Sequence, residues 1–164
     1  MFVIDFDDTL FDTHALKAIL VNKSPNDLQE VDLKNLLFSD APAFLHYLST
    51  AKQKLILLSF GELSFQNKKI NATGIAEFFD EIIITPDSKE LALGKVLEKF
   101  ESEKDVWFVN DKVEETKKII RHFPQVLPVL KMSPQFSEED YKKSLIPYFS
   151  TLTLIQQYVQ QQLK

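Results

Sequence analysis

The sequence predicts an α/β fold, a parallel sheet covered by helices on both faces with one small helical insert. Apolar runs of strand length stand at residues 2–5, 54–60, 81–85, 105–110 and 126–132. Most are apolar throughout rather than alternating, and they are rich in β-branched and aromatic side chains, as strands buried on both faces are. Helical segments fill the gaps between them, and strand–helix alternation builds a parallel sheet with right-handed crossovers. The five runs predict five strands. A length of 164 residues, with 45% hydrophobic and 26% charged residues, suits one globular domain, and 14 Phe supply much of the core bulk. Without a repeat, a low-complexity tract or a linker, residues 1–164 are read as that single domain.

The elements follow in chain order. The first strand runs into a cluster of acids. Thr13 caps a helix reaching residue 21, and Ser24, Pro25 and Asp27 place a cap, a first-turn proline and an acid ahead of a helix ending near Leu37. The link between the first two strands is longer than a crossover needs, so these two helices are expected to sit over the sheet edge as a minimal lid at about residues 12–38. Asp40 and Pro42 open another helix through Leu45 and Leu48. Residues 62–73 form the next, with Gly74 as its stop. The helix at 89–100 puts Leu93, Val96, Leu97 and Phe100 on one face. A helix at 114–122 follows the fourth strand, the polar stretch 133–143 reads as an exposed loop, and 152–163 is the last helix.

Composition excludes several kinds of chemistry. A net charge of −5 repels polyanions, which argues against nucleic acid as a partner and requires local positive charge for any anionic substrate. The absence of cysteine excludes disulfides, thiol chemistry and Cys-based zinc sites, and three scattered histidines make a poor metal set. No apolar run is long enough to cross a bilayer. The start of the chain lacks a basic segment and carries an acid by Asp5, unlike a signal peptide, so a cytoplasmic location is expected.

The first strand ends in Asp5-Phe6-Asp7-Asp8-Thr9-Leu10. Carboxylates crowded after a buried strand repel one another, and a bound cation removes much of that cost. The cluster stands at the carboxyl end of a strand, where open α/β sheets bind ligands. Alternation points Asp5 and Asp7 the same way, with Cα atoms roughly 6–7 Å apart, a spacing at which one carboxylate attacks while the other shuttles a proton. An EF-hand starting at Asp5 is ruled out, because Leu10 and Leu16 stand where Gly and Glu are needed. A solvated acidic turn remains the bland alternative, and the other strand ends weigh against it. Ser59 closes the second strand, where its hydroxyl and the Phe60 and Gly61 backbone can bind a phosphoryl oxygen, or where it is merely a turn serine. Lys89 stands just after Ser88 in a first helical turn, where a cation opposes the helix dipole unless an anion lies beside it. Lys95 is its mid-helix rival, and Lys68 and Lys69 read as solvated helix residues. The fourth strand ends in Asn110-Asp111, so Asp111 joins the rim of Asp5, and oxygen ligands with water in the shell describe a magnesium site. Glu114 and Glu115 follow, either as metal support or as acids favoured by their helix dipole.

Together these four sites resemble the haloacid dehalogenase-like hydrolase superfamily, over about residues 1–132. Asp5-Phe6-Asp7-Asp8-Thr9-Leu10 matches its first motif, Ser59 the second, Lys89 the third and Asp111 the fourth. Phe60-Gly61-Glu62 through Gln66, Lys69, Gly74 and Phe78-Phe79-Asp80 also looks like bacterial members, and is read as scaffolding. The resemblance implies a three-layer Rossmann-like fold with strand order 3-2-1-4-5, and a phosphatase of the branch with a minimal cap. It implies Asp5 as nucleophile, Asp7 as acid and base, and Ser59 and Lys89 as catalytic partners. Phe6, Thr9, Phe60 and Gly61 would line the substrate, Thr9 also fixing the loop. Magnesium would be held by the Asp5 and Asp111 carboxylates and the Asp7 carbonyl, with Glu115 favoured over Glu114 by the motif's spacing. Asp7 argues for phosphate chemistry, since the dehalogenase branch lacks that acid. Asn110 departs from the usual Gly or Asp. The expected function is hydrolysis of a small phosphate monoester through an aspartyl-phosphate. The alternatives are a weak or inactive binder of a phospho-ligand or partner, and a receiver-like phospho-acceptor.

Overall fold

The computed structural model describes residues 1–163, save the Val31 side chain. Its sheet has six parallel strands in the order β3-β2-β1-β4-β5-β6. They are β1 (Phe2–Ile4), β2 (Leu55–Phe60), β3 (Glu81–Thr85), β4 (Val106–Asn110), β5 (Val126–Lys131) and β6 (Tyr148–Phe149). The first five follow the expected order. The sixth corrects the count: after Pro147, Tyr148 and Phe149 pair with Leu130 and Lys131. Two residues are too short a run to register as a periodic pattern.

Side chains along the central strands alternate between two cores, as the period of two requires. Phe2, Ile4, Leu55, Leu57, Trp107 and Val109 face one side, where they meet α1 (Thr13–Leu20), α3 (Ala41–Thr50), α4 (Leu63–Thr73) and α8 (Leu152–Gln162). Val3, Ile56, Leu58, Val106 and Phe108 face the other, against Leu93 and Val96 of α5 (Lys89–Lys99) and Ile119 of α6 (Val113–His122). Each fully buried Leu, Ile, Val or Phe contributes roughly 1.5–3 kcal/mol.

Three expectations between the strands are corrected. The second insert helix is split into a 3-10 turn, Pro25–Asp27, and a short α2, Glu30–Lys34, with Leu28 and Leu33 buried in the main core. The stretch 133–143 is not an exposed loop. It holds most of α7 (Glu138–Ser144), opened by a capping box in which Ser137 and Asp140 satisfy each other's backbone N–H, with Tyr141 fully buried. At α1 the cap is Asp12, whose carboxylate accepts from the Ala15 N–H at 2.7 Å. Ser88 and Gly74 cap α5 and end α4 as expected.

Candidate active site

Because the strands are parallel, the loops after β1, β2 and β4 share one rim. The Asp5 N–H donates to the Val109 carbonyl at 2.9 Å, continuing the pairing of β1 with β4 by one residue. The chain then curls. The Leu10 and Phe11 N–H groups both donate to the Phe6 carbonyl, and Asp8 takes the left-handed conformation, at φ 59°. That curl turns Thr9 back, so its hydroxyl donates to Asp5 Oδ2 at 3.0 Å. The other oxygen, Oδ1, accepts from Lys89 Nζ at 2.7 Å. Asp5 and Lys89 are both 2% exposed. Burial opposes Asp5's charge, and Asp7 and Glu115 add to that, so its carboxyl titrates above the ordinary range although Lys89 pulls the other way.

Lys89 therefore has the anionic partner that offsets the dipole of its helix, and Lys95 has no part in the site. Its ammonium also reaches Glu115 Oε2 at 3.0 Å and Asn110 Oδ1 at 3.3 Å. Burial disfavours the cation, but Asp5 and Glu115 more than offset this and raise its pKa. Asn110 is fully buried, and its amide donates to Glu115 Oε2 and Thr116 Oγ1, each at 3.0 Å. The departure from the motif is thus absorbed into a network that orients Glu115 and Lys89. Glu115 is held on the Lys89 side, and Glu114 pairs with Lys117 at 2.8 Å away from the site.

Asp111 differs from its neighbours. It is fully buried, and neither carboxylate oxygen has a hydrogen-bond donor. Burial first, and then the charge of Asp5, push its pKa up to about 8. Two orphaned oxygens beside a second carboxylate suit a cation better than water alone. Among the described residues no three His, Cys, Asp or Glu side chains are gathered to hold an ion. An ion here would rest on two carboxylates, a main-chain carbonyl and water, and magnesium is the metal that keeps its waters.

Asp7 points outward, its side chain 25% exposed. Its Oδ1 accepts from Thr13 Oγ1 at 2.6 Å and Lys69 Nζ at 2.5 Å, and its Oδ2 from Gln66 Nε2 at 2.6 Å. Burial works against the charge, but Lys69, Thr13 and Gln66 outweigh it and hold the carboxyl below the ordinary range. Ser59 is fully buried, with its Oγ 2.9 Å from the same Gln66 amide. Phe60 is 49% exposed at the mouth of the site. Gly61 has φ +150°, and a Cβ there would stand 2.9 Å from Gln66 Nε2. The Phe6 ring stacks on Phe11 in the core at 5.0 Å, so only its main chain can reach a ligand. Thr9 is spent on Asp5 and positions that carboxylate.

Several residues escaped the sequence reading. Lys69 is buried, not solvated, and Gln66 is more than scaffolding. Both lie on the inward stripe of α4 with Ile70 and Thr73, at spacings of three, four and seven, which is the signal that was available. Gln135 donates to Asp8 Oδ2, and the buried Tyr141 hydroxyl donates to the Asp111 carbonyl at 3.1 Å while accepting from the Ser133 N–H at 2.8 Å. Lys131 is buried over the Phe38 ring, 3.7 Å from its centre.

No family profile matches this chain, and no curated protein matches it in sequence. Solved structures do match in fold. A haloacid dehalogenase-like hydrolase from Burkholderia xenovorans superposes with a TM-score of 0.75 at 17% identity, covering 92% of this chain and 94% of that one. A predicted phosphatase from Clostridium acetobutylicum gives 0.70 at 11% identity, over 98% and 97%. The HAD-hydrolase YfnB from Bacillus subtilis, solved with magnesium bound, gives 0.64 at 13% identity, over 94% and 95%. At these identities the likeness establishes the fold, which is that of the haloacid dehalogenase-like hydrolases. No helix among the described residues is long and apolar enough to cross a membrane.

Proposed function

We propose that this chain is a magnesium-dependent phosphatase that hydrolyses a small phosphate monoester through an aspartyl-phosphate on Asp5. One observation carries the reading. Asp5 is held by Lys89 on one oxygen and Thr9 on the other, beside Asp111, a buried carboxylate with both oxygens unpaired. The Asp5 and Asp111 carboxylates and the Asp7 carbonyl would hold the ion, with Glu115 behind Lys89. Magnesium, when bound, supplies positive charge against the phosphoryl oxygens and the crowded carboxylates.

In this reading an Asp5 oxygen attacks phosphorus as the ester P–O bond breaks, and Asp7 gives its proton to the leaving oxygen. Water then attacks the aspartyl-phosphate, Asp7 takes the water proton, and the Asp5 carboxylate and free phosphate are regenerated. Asp7 is ionised at rest and must first take up a proton. That proton is taken up at an uphill cost from solvent, because an arriving monoester, whose second ionisation lies near pH 6, is a weaker acid than this carboxyl. Lys89, Ser59 and the Phe60 and Gly61 backbone orient the phosphoryl oxygens. The insert between β1 and α3 acts as a minimal cap. Thr13 at its start holds Asp7, while the Lys68 ammonium donates to the Pro25 carbonyl at 3.1 Å and ties the insert to α4.

Release of phosphate from p-nitrophenyl phosphate, with and without magnesium, tests the proposal. Asp5→Asn is expected to remove turnover, since losing one member of such a unit costs at least about 10³-fold in kcat. Full magnesium-dependent activity in that variant would show that Asp5 is not the nucleophile. Phosphate binding without turnover at any magnesium concentration would instead favour a non-catalytic binder of phosphorylated ligands.

A further inference from the structure

We propose that Lys69 and Gln66 are positioning residues that aim the Asp7 carboxylate and the Ser59 hydroxyl at the same ester, and that Asp7 Oδ2 is the oxygen that carries the proton. The inference rests on the reading of Asp5 and Asp7 given above.

Residues three apart on a helix share a face, and Gln66 and Lys69 are both 3% exposed. A buried ammonium is costly unless it is paired. Lys69 has one carboxylate partner, Asp7 Oδ1 at 2.5 Å. Three rings surround it, Phe6, Phe11 and Phe65, with centres 5.4, 5.3 and 5.4 Å from the amine. Rings at that range attract a cation and exclude water, so the amine is fixed sideways as well as along the ion pair. It lies behind the carboxylate, which faces outward.

Gln66 supplies the second constraint. Its amide nitrogen has two hydrogens and three oxygen neighbours: Asp7 Oδ2 at 2.6 Å, the Phe60 carbonyl at 2.7 Å and Ser59 Oγ at 2.9 Å. The carboxylate and the carbonyl can only accept, so they take the two hydrogens. The Ser59 oxygen, 2.9 Å from the same nitrogen, shares one of them as an acceptor, so the hydroxyl is held in place while its own hydrogen stays available for a phosphoryl oxygen. One side chain thus ties the loop after β2 to the loop after β1. On Asp7, Oδ1 accepts from two donors and Oδ2 from one, which leaves the open lone pair on Oδ2. In the first step the proton on Oδ2 goes to the leaving oxygen as that oxygen takes the electron pair of the breaking P–O bond. In the second step water bonds to phosphorus, its proton returns to Oδ2, and the electron pair of the Asp5–phosphorus bond returns to the Asp5 carboxylate.

The test compares leaving groups. A p-nitrophenolate departs without help, whereas an alkoxide needs the proton. Lys69→Met keeps the shape of the side chain and removes the charge. It is expected to lower kcat/KM about 100-fold on an alkyl phosphate, the usual scale of a misplaced proton donor, and less than about tenfold on p-nitrophenyl phosphate. The dependence of rate on leaving-group pKa therefore steepens, and Lys69→Arg restores most of the loss. Equal losses on both substrates, or no loss on either, would overturn the positioning role while leaving Asp5 chemistry intact. If Lys69→Met does not fold, as judged by circular dichroism, Gln66→Met is read by the same slope and the same criteria. A wild-type protein inert towards every phosphate ester overturns both this inference and the function it rests on.

Discussion

Replacing Asp111 by Asn should stabilise the metal-free protein at neutral pH, against the usual direction of a core substitution. The carboxyl titrates near 3.8 in an unfolded chain and at about 8 in the fold. Between those values the folded state keeps a proton that the unfolded chain has released. Folding takes up a proton there, and stability falls as pH rises through the window. At pH 7 the loss amounts to about 4 kcal/mol, from about 1.36 kcal/mol per pH unit over roughly three units, as an upper limit that relaxation and water entry reduce. Asn keeps the shape and cannot ionise, but it leaves an amide without partners, at about 1–3 kcal/mol. The net gain at pH 7 is about 1–3 kcal/mol, or roughly 2–10 °C in Tm for a chain of this size. At pH 4, close to the unfolded value of 3.8, the folded carboxyl keeps its proton and the unfolded one has released only about half of its own, so little of the loss remains and the gain should vanish or reverse. Thermal melts in EDTA at the two pH values measure it, and titration with magnesium should then raise the Tm of the wild type but not of the variant. A variant less stable than wild type at pH 7, or one displaced equally at both pH values, would refute the reasoning.

Two further perturbations bear on the same network. Lys89→Met removes the cation shared by Asp5, Glu115 and Asn110. Leaving a buried carboxylate uncompensated should cost about 3–5 kcal/mol in urea unfolding and about 10²–10³-fold in phosphatase kcat. An unchanged urea midpoint would show that the pair is not structural. Gly61→Ala places a methyl 2.9 Å from the Gln66 amide at a φ of +150°. The strain of about 1–3 kcal/mol should appear both as a lower Tm and as reduced activity, because Gln66 holds Asp7 and Ser59. A Gly61→Ala protein with wild-type activity would separate that loop from the chemistry.

The parts of the fold that were legible in the sequence are those decided locally. Continuous apolar runs, Ser88 before its helix and Gly74 after another carry their instructions within a few residues. The acids at the strand ends were legible because a carboxylate after a buried strand is anomalous and calls for a partner. What escaped was decided at a distance. Lys69 is an ordinary helix lysine until Asp7, 62 residues earlier, is folded beside it. Tyr141 sits in a polar segment whose burial follows from Ser133 and the Asp111 carbonyl. β6 is two residues long and exists only because β5 offers a free edge. Glu115 reads as metal support from its spacing, whereas the Lys89 and Asn110 contacts that hold it come from two other segments.

The clasp made by Gln135 and Tyr141 also has a bearing on synthesis. These residues grip Asp8 and Asp111, acids made 127 and 30 residues earlier. While the chain leaves the ribosome, every acid of the rim has emerged before the segment that closes over it. The rim is therefore sheltered only once residues 133–141 dock on acids that lie far earlier in the chain.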